Sequence, residues 1–155
     1  LGEVDCGFLI WYRSNKYKIS LDEQLNTSTK NLSEFLKNDV SKNFNPNNIV
    51  ICGAILPTIK DGVEFGDIAN LRREVEVSQK DKTGLTIKYN NILKSICNQN
   101  NYVYMDINDY IVGVNGLIDD KYINEIPTEQ HLPNEKVWKF WHNEILKIKN
   151  YEAIE

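Results

Sequence analysis

The sequence has few of the features that mark metal-binding, disulfide-linked or secreted proteins. Its three cysteines are widely spaced and form no Cys-x-x-Cys pair: Cys6, Cys52 and Cys97. This pattern favours reduced, buried thiols over a disulfide or zinc framework. The two histidines, His131 and His142, are eleven residues apart, which fits no familiar spacing of metal ligands. The cysteine and histidine spacings therefore predict no metal site. No signal peptide is visible, so we predict a cytoplasmic protein.

Three further classes of protein are excluded by absent patterns. A net charge of -4 and a pI near 5.3 give no basic surface for nucleic acid. No apolar run approaches the about 18 residues that a membrane-spanning helix needs. Neither Gly-x-Gly-x-x-Gly nor a P-loop sequence occurs, so no motif indicates a nucleotide. We therefore predict no cofactor, no nucleic-acid partner and no membrane partner.

The composition is that of an ordinary globular domain. The chain has 155 residues, of which 41% are hydrophobic and 26% are charged. That length predicts one domain, residues 1–155, with a real hydrophobic core. The sequence begins at Leu1 without a methionine and already within an apolar segment, so we expect it to be part of a larger domain that is truncated at the N-terminus.

Local patterns predict alternating strands and helices. Val4–Tyr12 is rich in β-branched and aromatic residues, which favours a buried strand, although a short helix or a loop is also compatible with it. Ser20 and Glu23 form a capping-box pattern, and leucines at helical spacing follow, which predicts a helix over about 21–38. The continuous apolar run Ile49–Leu56, ended by Pro57, is typical of a strand covered on both faces.

The second half of the chain repeats this alternation. A helix is predicted over about 84–99 and a second strand over Tyr102–Ile107. Asn115 and Gly116 indicate a turn, and Pro133 suits the first turn of a C-terminal helix. The order of elements predicts an α/β fold with three layers, in which helices flank a parallel sheet.

In a parallel sheet, ligands bind at the carboxyl ends of the strands. The segments at that edge are residues 57–67 and 107–132, and the second contains His131. A histidine beside a carboxylate is well suited to accept and return a proton near neutral pH. The alternative is an ordinary surface histidine ahead of a helix.

The segment 58–83 is long for a connection and is charged in its middle part. Arg72 and Arg73 within it are candidates for binding an anionic group of a substrate. The alternative is a solvated face, because the neighbouring glutamates Glu74 and Glu76 offer local pairing.

The order of these motifs resembles the C-terminal half of an SGNH (GDSL-type) hydrolase. That family ends in an Asp-x-x-His-Leu block followed by an aromatic-bearing helix, and His131-Leu132-Pro133-Asn134-Glu135 is similar to its second part. The first residues, Gly2-Glu3-Val4-Asp5, resemble the family's Gly-x-Asn-Asp block. The resemblance implies a flavodoxin-like (SGNH-like) fold and the hydrolysis of small acyl esters, including acylated carbohydrates, by a serine nucleophile with His131 as the general base.

The chain departs from the family pattern at three places. The family's nucleophilic serine would lie upstream of Leu1, so the chain alone is predicted to be inactive. Val4 stands where the family has an asparagine that donates to the oxyanion. The resemblance then leaves the backbone N–H of Gly2 as an oxyanion donor, and Asp5 as the other oxyanion- or substrate-binding residue of this block. Thr128 stands where the family has the aspartate that orients the histidine. Glu129, one position along, is the alternative carboxylate.

Three hypotheses about function remain at the level of the sequence. The first is part of an SGNH-like esterase, the second is an inactive SGNH-like module that binds a glycan or a partner, and the third is an unrelated flavodoxin-like binding domain. Loss of upstream strands would expose a sheet edge and apolar side chains, namely Phe8, Ile10 and Trp11. We therefore also predict association between copies through that edge.

Overall fold

The computed structural model describes residues 2–63 and 75–152, with side chains described up to Ile148. Its helices are α1 (Ile10–Tyr17), α2 (Leu21–Phe35), α3 (Gln79–Asn100), α4 (Asn108–Ile111) and α5 (Asn134–Glu152). Two π-helical turns extend this set, Asp5–Leu9 before α1 and Leu36–Val40 after α2. Short 3-10 turns occur at Pro46–Asn48 and Asp120–Tyr122. The strands are β1 (Val50–Cys52) and β2 (Val103–Met105).

The predicted fold class is wrong, because the described chain is mostly helical and has no three-layer parallel sheet. Its sheet has two strands, β1 and β2, which pair in parallel with Ile51 opposite Tyr104. The prediction that these two segments contain strands was correct, but their lengths were overestimated. An apolar run indicates that its residues are buried, but it does not determine how many of them pair with a neighbouring strand.

The N-terminal segment is helical rather than extended. Residues 5–17 form the first π-helical turn and α1. Phe8 and Tyr12 stack with ring centroids 5.3 Å apart, a contact that helical i,i+4 spacing provides. The Trp11 indole donates a hydrogen bond to the carbonyl of Cys6 at 2.8 Å. Ile10, which was expected to be exposed, is 2% exposed and belongs to the core.

Serine caps set the starts of the two central helices. The Ser20 hydroxyl accepts a hydrogen bond from the backbone N–H of Glu23 at 3.2 Å, so the predicted cap of α2 is confirmed. Ser78 caps α3 in the same way through the N–H of Asp81. Helix α3 therefore begins five residues before the predicted 84. It ends at Asn100, one residue after the predicted end, and Asn101 follows in a left-handed conformation with φ of 58°.

The core of the described chain has two clusters. The larger joins the N-terminal helices to α2, α3 and β1, and its most buried members include Leu93 and Cys97. The smaller lies under α5 and includes Ile107, Ile111 and Val137. Because the segment after β1 contributes Ala54 to one cluster and Leu56 to the other, it connects both halves of the core.

Two asparagine side chains hold the segment that follows β1. The Asn90 amide accepts a hydrogen bond from the N–H of Ala54 at 2.8 Å and donates one to the carbonyl of Ala54 at 2.7 Å. Asn108 also donates to that carbonyl, at 2.9 Å, and accepts from the N–H of Leu56 at 3.1 Å. Side-chain amides thus replace the strand ladder from Ala54 onward, which explains why β1 is short.

A close approach at Gly53 gives the first testable prediction. A Cβ at this position would lie 2.3 Å from the Tyr104 hydroxyl oxygen, which donates a hydrogen bond to Asp106 at 2.6 Å. We expect Gly53→Ala to lower the free energy of unfolding by about 1–3 kcal/mol through overpacking. Urea denaturation measures this change.

The double variant Gly53→Ala/Tyr104→Phe provides the control for that mechanism. Removing the hydroxyl relieves the closest contact, so the double variant should be more stable than the sum of the two single effects predicts. Simple additivity of the two changes in unfolding free energy would contradict this explanation.

Within residues 2–63 and 75–152, no helix is both long enough and apolar enough to cross a membrane.

Candidate functional site

The loop that carries His131 is attached to the rest of the structure on both sides. The Thr58 hydroxyl, which is buried, donates a hydrogen bond to the carbonyl of Gln130 at 2.8 Å. Leu132 packs against the smaller core cluster, immediately before α5 begins at Asn134. The segment after β1 and the start of α5 therefore fix the position of His131 in space.

Glu129 and His131 form a two-point contact. One carboxylate oxygen of Glu129 accepts a hydrogen bond from the backbone N–H of His131 at 2.9 Å and lies 2.5 Å from the imidazole Nδ1. The hydrogen bond to the backbone holds the carboxylate against the loop, and the contact with Nδ1 orients the ring. Glu129 is the partner for the Nδ1 side of the ring, whereas the aspartate expected from the family pattern would have come from position 128.

The electrostatics of this pair favour one tautomer. Hydrogen bonds from the backbone N–H and the side chain of His131 lower the pKa of Glu129, so the carboxylate is ionised at neutral pH. An ionised carboxylate accepts a hydrogen bond from Nδ1–H, which leaves the lone pair of a neutral imidazole on Nε2. The His131 side chain is 72% exposed, so solvent screens the pair and its importance lies in orientation rather than stability.

The other predicted residues of this site are placed differently. Thr128 is exposed, and no described hydrogen bond joins its side chain to His131. Arg72 and Arg73 lie outside the described residues, so their predicted contact with an anionic substrate group stays a prediction. His142 is exposed on α5, where its ring lies 6.2 Å from that of Trp138.

Gly2 and Asp5 lie at the N-terminal helix, packed against α2 and α3. Gly2 has a φ of 87°, and a Cβ there would lie 2.3 Å from the Tyr89 ring, so only glycine fits this approach. The Gly2 carbonyl accepts from the N–H of Cys6 at 2.8 Å. Asp5 accepts from the Ser28 hydroxyl at 3.1 Å. None of the described hydrogen bonds brings Gly2 or Asp5 to His131.

A pocket that the sequence did not reveal lies next to the His131 loop. It has a volume of about 100 Å³ and is lined by the N-terminal helix, the segment after β1, the start of α3, and Gln130. Its lining residues include Phe8, Leu56, Thr58, Lys82 and Gln130. The only sequence signals for it were the apolar segments that begin at Val4 and at Ile49, which we interpreted as strands.

None of the described hydrogen bonds joins a serine hydroxyl to His131. The serines are Ser14, Ser20, Ser28, Ser33, Ser41, Ser78 and Ser95. Burial raises the pKa of Cys6 to about 12 and that of Cys97 to about 11, so both thiols are protonated at neutral pH and are poor nucleophiles. Among the residues described, no group of three or more His, Cys, Asp or Glu side chains is arranged to hold a metal ion.

Comparisons of the chain with protein-family models, with curated proteins and with solved structures found no significant match.

Proposed function

We propose that this chain supplies the general base of an acyl-ester hydrolase, with His131 as the base and Glu129 as the residue that orients it. The substrate is a small acyl ester, such as an acetylated carbohydrate. The observation that carries this proposal is the two-point contact of Glu129 with His131, in a loop that also borders a pocket. A histidine held by a carboxylate in this way has the arrangement that nucleophilic acyl transfer needs.

In the proposed reaction, a serine from outside these 155 residues attacks the ester carbonyl. Nε2 of His131 accepts the serine proton as the new C–O bond forms. When the tetrahedral intermediate collapses, the imidazolium returns that proton to the leaving alkoxide. A water molecule then repeats both steps on the acyl-serine and releases the carboxylic acid. Glu129 stabilises the imidazolium at each stage.

The oxyanion of the intermediate needs hydrogen-bond donors close to the reacting carbon. The resemblance to the SGNH hydrolases assigns one of them to the backbone N–H of Gly2. Glu3 and Val4, the next two residues, line the pocket beside Gln130. This neighbourhood supports the assignment, although Val4 offers no side-chain donor.

Glu129→Gln tests the role of the carboxylate in the intact protein that includes the serine. The glutamine removes the negative charge and can turn its NH₂ toward Nδ1, which favours the wrong tautomer. We expect kcat for 4-nitrophenyl acetate and for glucose pentaacetate to fall by about 10- to 100-fold, a part of what general acid–base catalysis contributes. Glu125→Gln, in the same loop and exposed, is the matched control and should keep its activity.

The alternative function is a module that binds a glycan without cleaving it, which Val4 and Thr128 favour because each replaces a catalytic residue type of the family. If the intact protein binds acetylated glycans but neither hydrolyses an ester nor reacts with a fluorophosphonate, the alternative replaces the proposal. Hydrolysis that is insensitive to Glu129→Gln would remove Glu129 from the mechanism.

A further inference from the structure

The pocket beside the His131 loop has one wall of apolar side chains. They come from the N-terminal helix and from the segment after β1, and include Phe8, Ile55, Leu56, Pro57 and Ile59. Leu56 is 3% exposed and belongs to the smaller core cluster, so this wall rests on the packed interior. A wall of this kind provides a place for a hydrocarbon chain to leave water.

The pocket is also lined by polar groups, which come from the same two segments, from the start of α3 and from Gln130. The Thr58 hydroxyl donates to the carbonyl of Gln130, and the Thr86 hydroxyl donates to the carbonyl of Lys82 at 2.9 Å. Both hydroxyl protons are therefore used within the protein. Glu3 and Lys82 contribute one charge of each sign to the lining. A lining with both polar and apolar groups suits a ligand that has a polar group and a short apolar chain.

The size of the pocket limits the apolar end. Its volume is about 100 Å³. For comparison, a dry cavity of about 150 Å³ in another protein holds benzene, which has six carbons. Scaling by volume gives room for about four carbons.

Gly7 lines the pocket without a side chain. It lies in the π-helical turn and has no atom within 4 Å of where its Cβ would be. A larger side chain at this position would fit the backbone and would occupy space beside the pocket. Gly84 on α3 also has open space where a Cβ would be, but it is exposed and does not line the pocket.

We propose that this pocket holds the acyl group of the substrate, that it accepts chains of up to about four carbons, and that Gly7 sets this limit. The inference rests on the proposed esterase function for the identity of the ligand. The carbonyl end of the acyl group then lies toward Gln130, next to His131, and the alkyl end lies against Phe8 and Leu56.

The test is the dependence of kcat/KM on chain length in the intact protein. Each methylene buried on going from 4-nitrophenyl acetate to the butyrate should raise kcat/KM about fourfold, or about 15-fold in total. The octanoate is too long for the pocket and should be hydrolysed more slowly than the butyrate. Gly7→Leu should remove the preference for butyrate over acetate, whereas Gly84→Leu, the matched control, should keep the wild-type profile.

A binding measurement separates this inference from the esterase proposal. Saturation-transfer NMR of sodium butyrate with the intact protein carrying His131→Asn needs no catalysis. Butyrate binding that Gly7→Leu abolishes, in a protein that hydrolyses no ester, would overturn the esterase and leave the pocket assignment standing. Ester hydrolysis without a chain-length preference, or with a preference that Gly7→Leu does not change, would overturn the pocket assignment alone. Absence of both hydrolysis and butyrate binding would overturn both.

Discussion

Replacing Asn90 with leucine is expected to lower the free energy of unfolding by about 2–4 kcal/mol, because it leaves the buried N–H of Ala54 without an acceptor and removes a hydrogen bond to the Ala54 carbonyl. Asn90 is 7% exposed, and its amide binds both the N–H and the carbonyl of Ala54. Leucine has a similar volume and fills the space, so the loss comes from the hydrogen bonds rather than from a cavity.

Most of the lost unfolding free energy comes from the N–H of Ala54, which is left without an acceptor. The carbonyl of Ala54 keeps its second donor, the Asn108 amide at 2.9 Å, but the described contacts give the N–H no other acceptor than Asn90. A buried donor that loses its acceptor costs about 1–3 kcal/mol, and the lost bond to the carbonyl adds to that. The segment that connects the two core clusters then loses one of its two anchors.

Asn91→Leu is the matched control for this prediction. Asn91 is the next residue of α3 and is exposed, so the same substitution should change the unfolding free energy by no more than about 0.5 kcal/mol. Urea denaturation of the two variants beside the wild type measures both effects. A loss below about 1 kcal/mol for Asn90→Leu would contradict the anchoring role, since buried unpaired groups cost at least that much.

The Asn90 contact also shows where prediction from the sequence reached its limit. Helices α2 and α3 were predictable because apolar residues at helical spacing are a local signal, and the Ser20 cap also marked the start of α2. The Ser78 cap of α3 was missed, which is why the predicted start of that helix was five residues late. The length of β1 was not, because it depends on amides that come 36 and 54 residues later in the chain and meet Ala54 only after folding. No local pattern at Ile49–Leu56 contains that information.

The strand prediction for the N-terminal segment was wrong for a different reason. Val4–Tyr12 has the composition of a strand, and strand propensity mostly describes how a side chain packs on a half-buried surface. Packing of Cys6 and Ile10 against α2 and α3 satisfies the same side chains in a helix. The residues of this segment support no more than a choice between a strand and a helix. The predicted three-layer fold assumed the strand, and it was wrong.

The candidate site was predictable in part. The choice of His131 followed from its residue type and context, and Glu129 was the alternative carboxylate because it lies two positions before the histidine. The geometry that joins them depends on a turn within the loop, which the sequence allowed but did not require. The pocket was not predictable, since its walls come from segments that are distant in sequence and meet around Thr58 and Gln130.

Replacing His131 with alanine is expected to lower kcat for ester hydrolysis in the intact protein by about 10²- to 10⁴-fold, the usual contribution of a general acid–base group. The same change should leave the unfolding free energy within about 0.5 kcal/mol of the wild type, because the side chain is 72% exposed and its one described side-chain partner, Glu129, is a solvent-screened contact. Loss of activity without loss of stability separates a chemical role from a structural one.

His142→Ala is the control, since His142 is the other histidine of the chain and is also exposed, on α5. It should keep the wild-type kcat. Equal losses in the two variants would show that neither histidine acts as a specific base.

Chemical rescue gives the sharper criterion. The exposure of His131 means that its removal opens a site that solutes can reach, still bordered by the Glu129 carboxylate. Added imidazole can bind there and accept the serine proton, so it should restore a measurable part of kcat to His131→Ala but none to a variant that lacks the nucleophilic serine. Failure of rescue together with intact folding would argue against His131 as the base, because a proton acceptor supplied from solution would then not replace what the side chain provided.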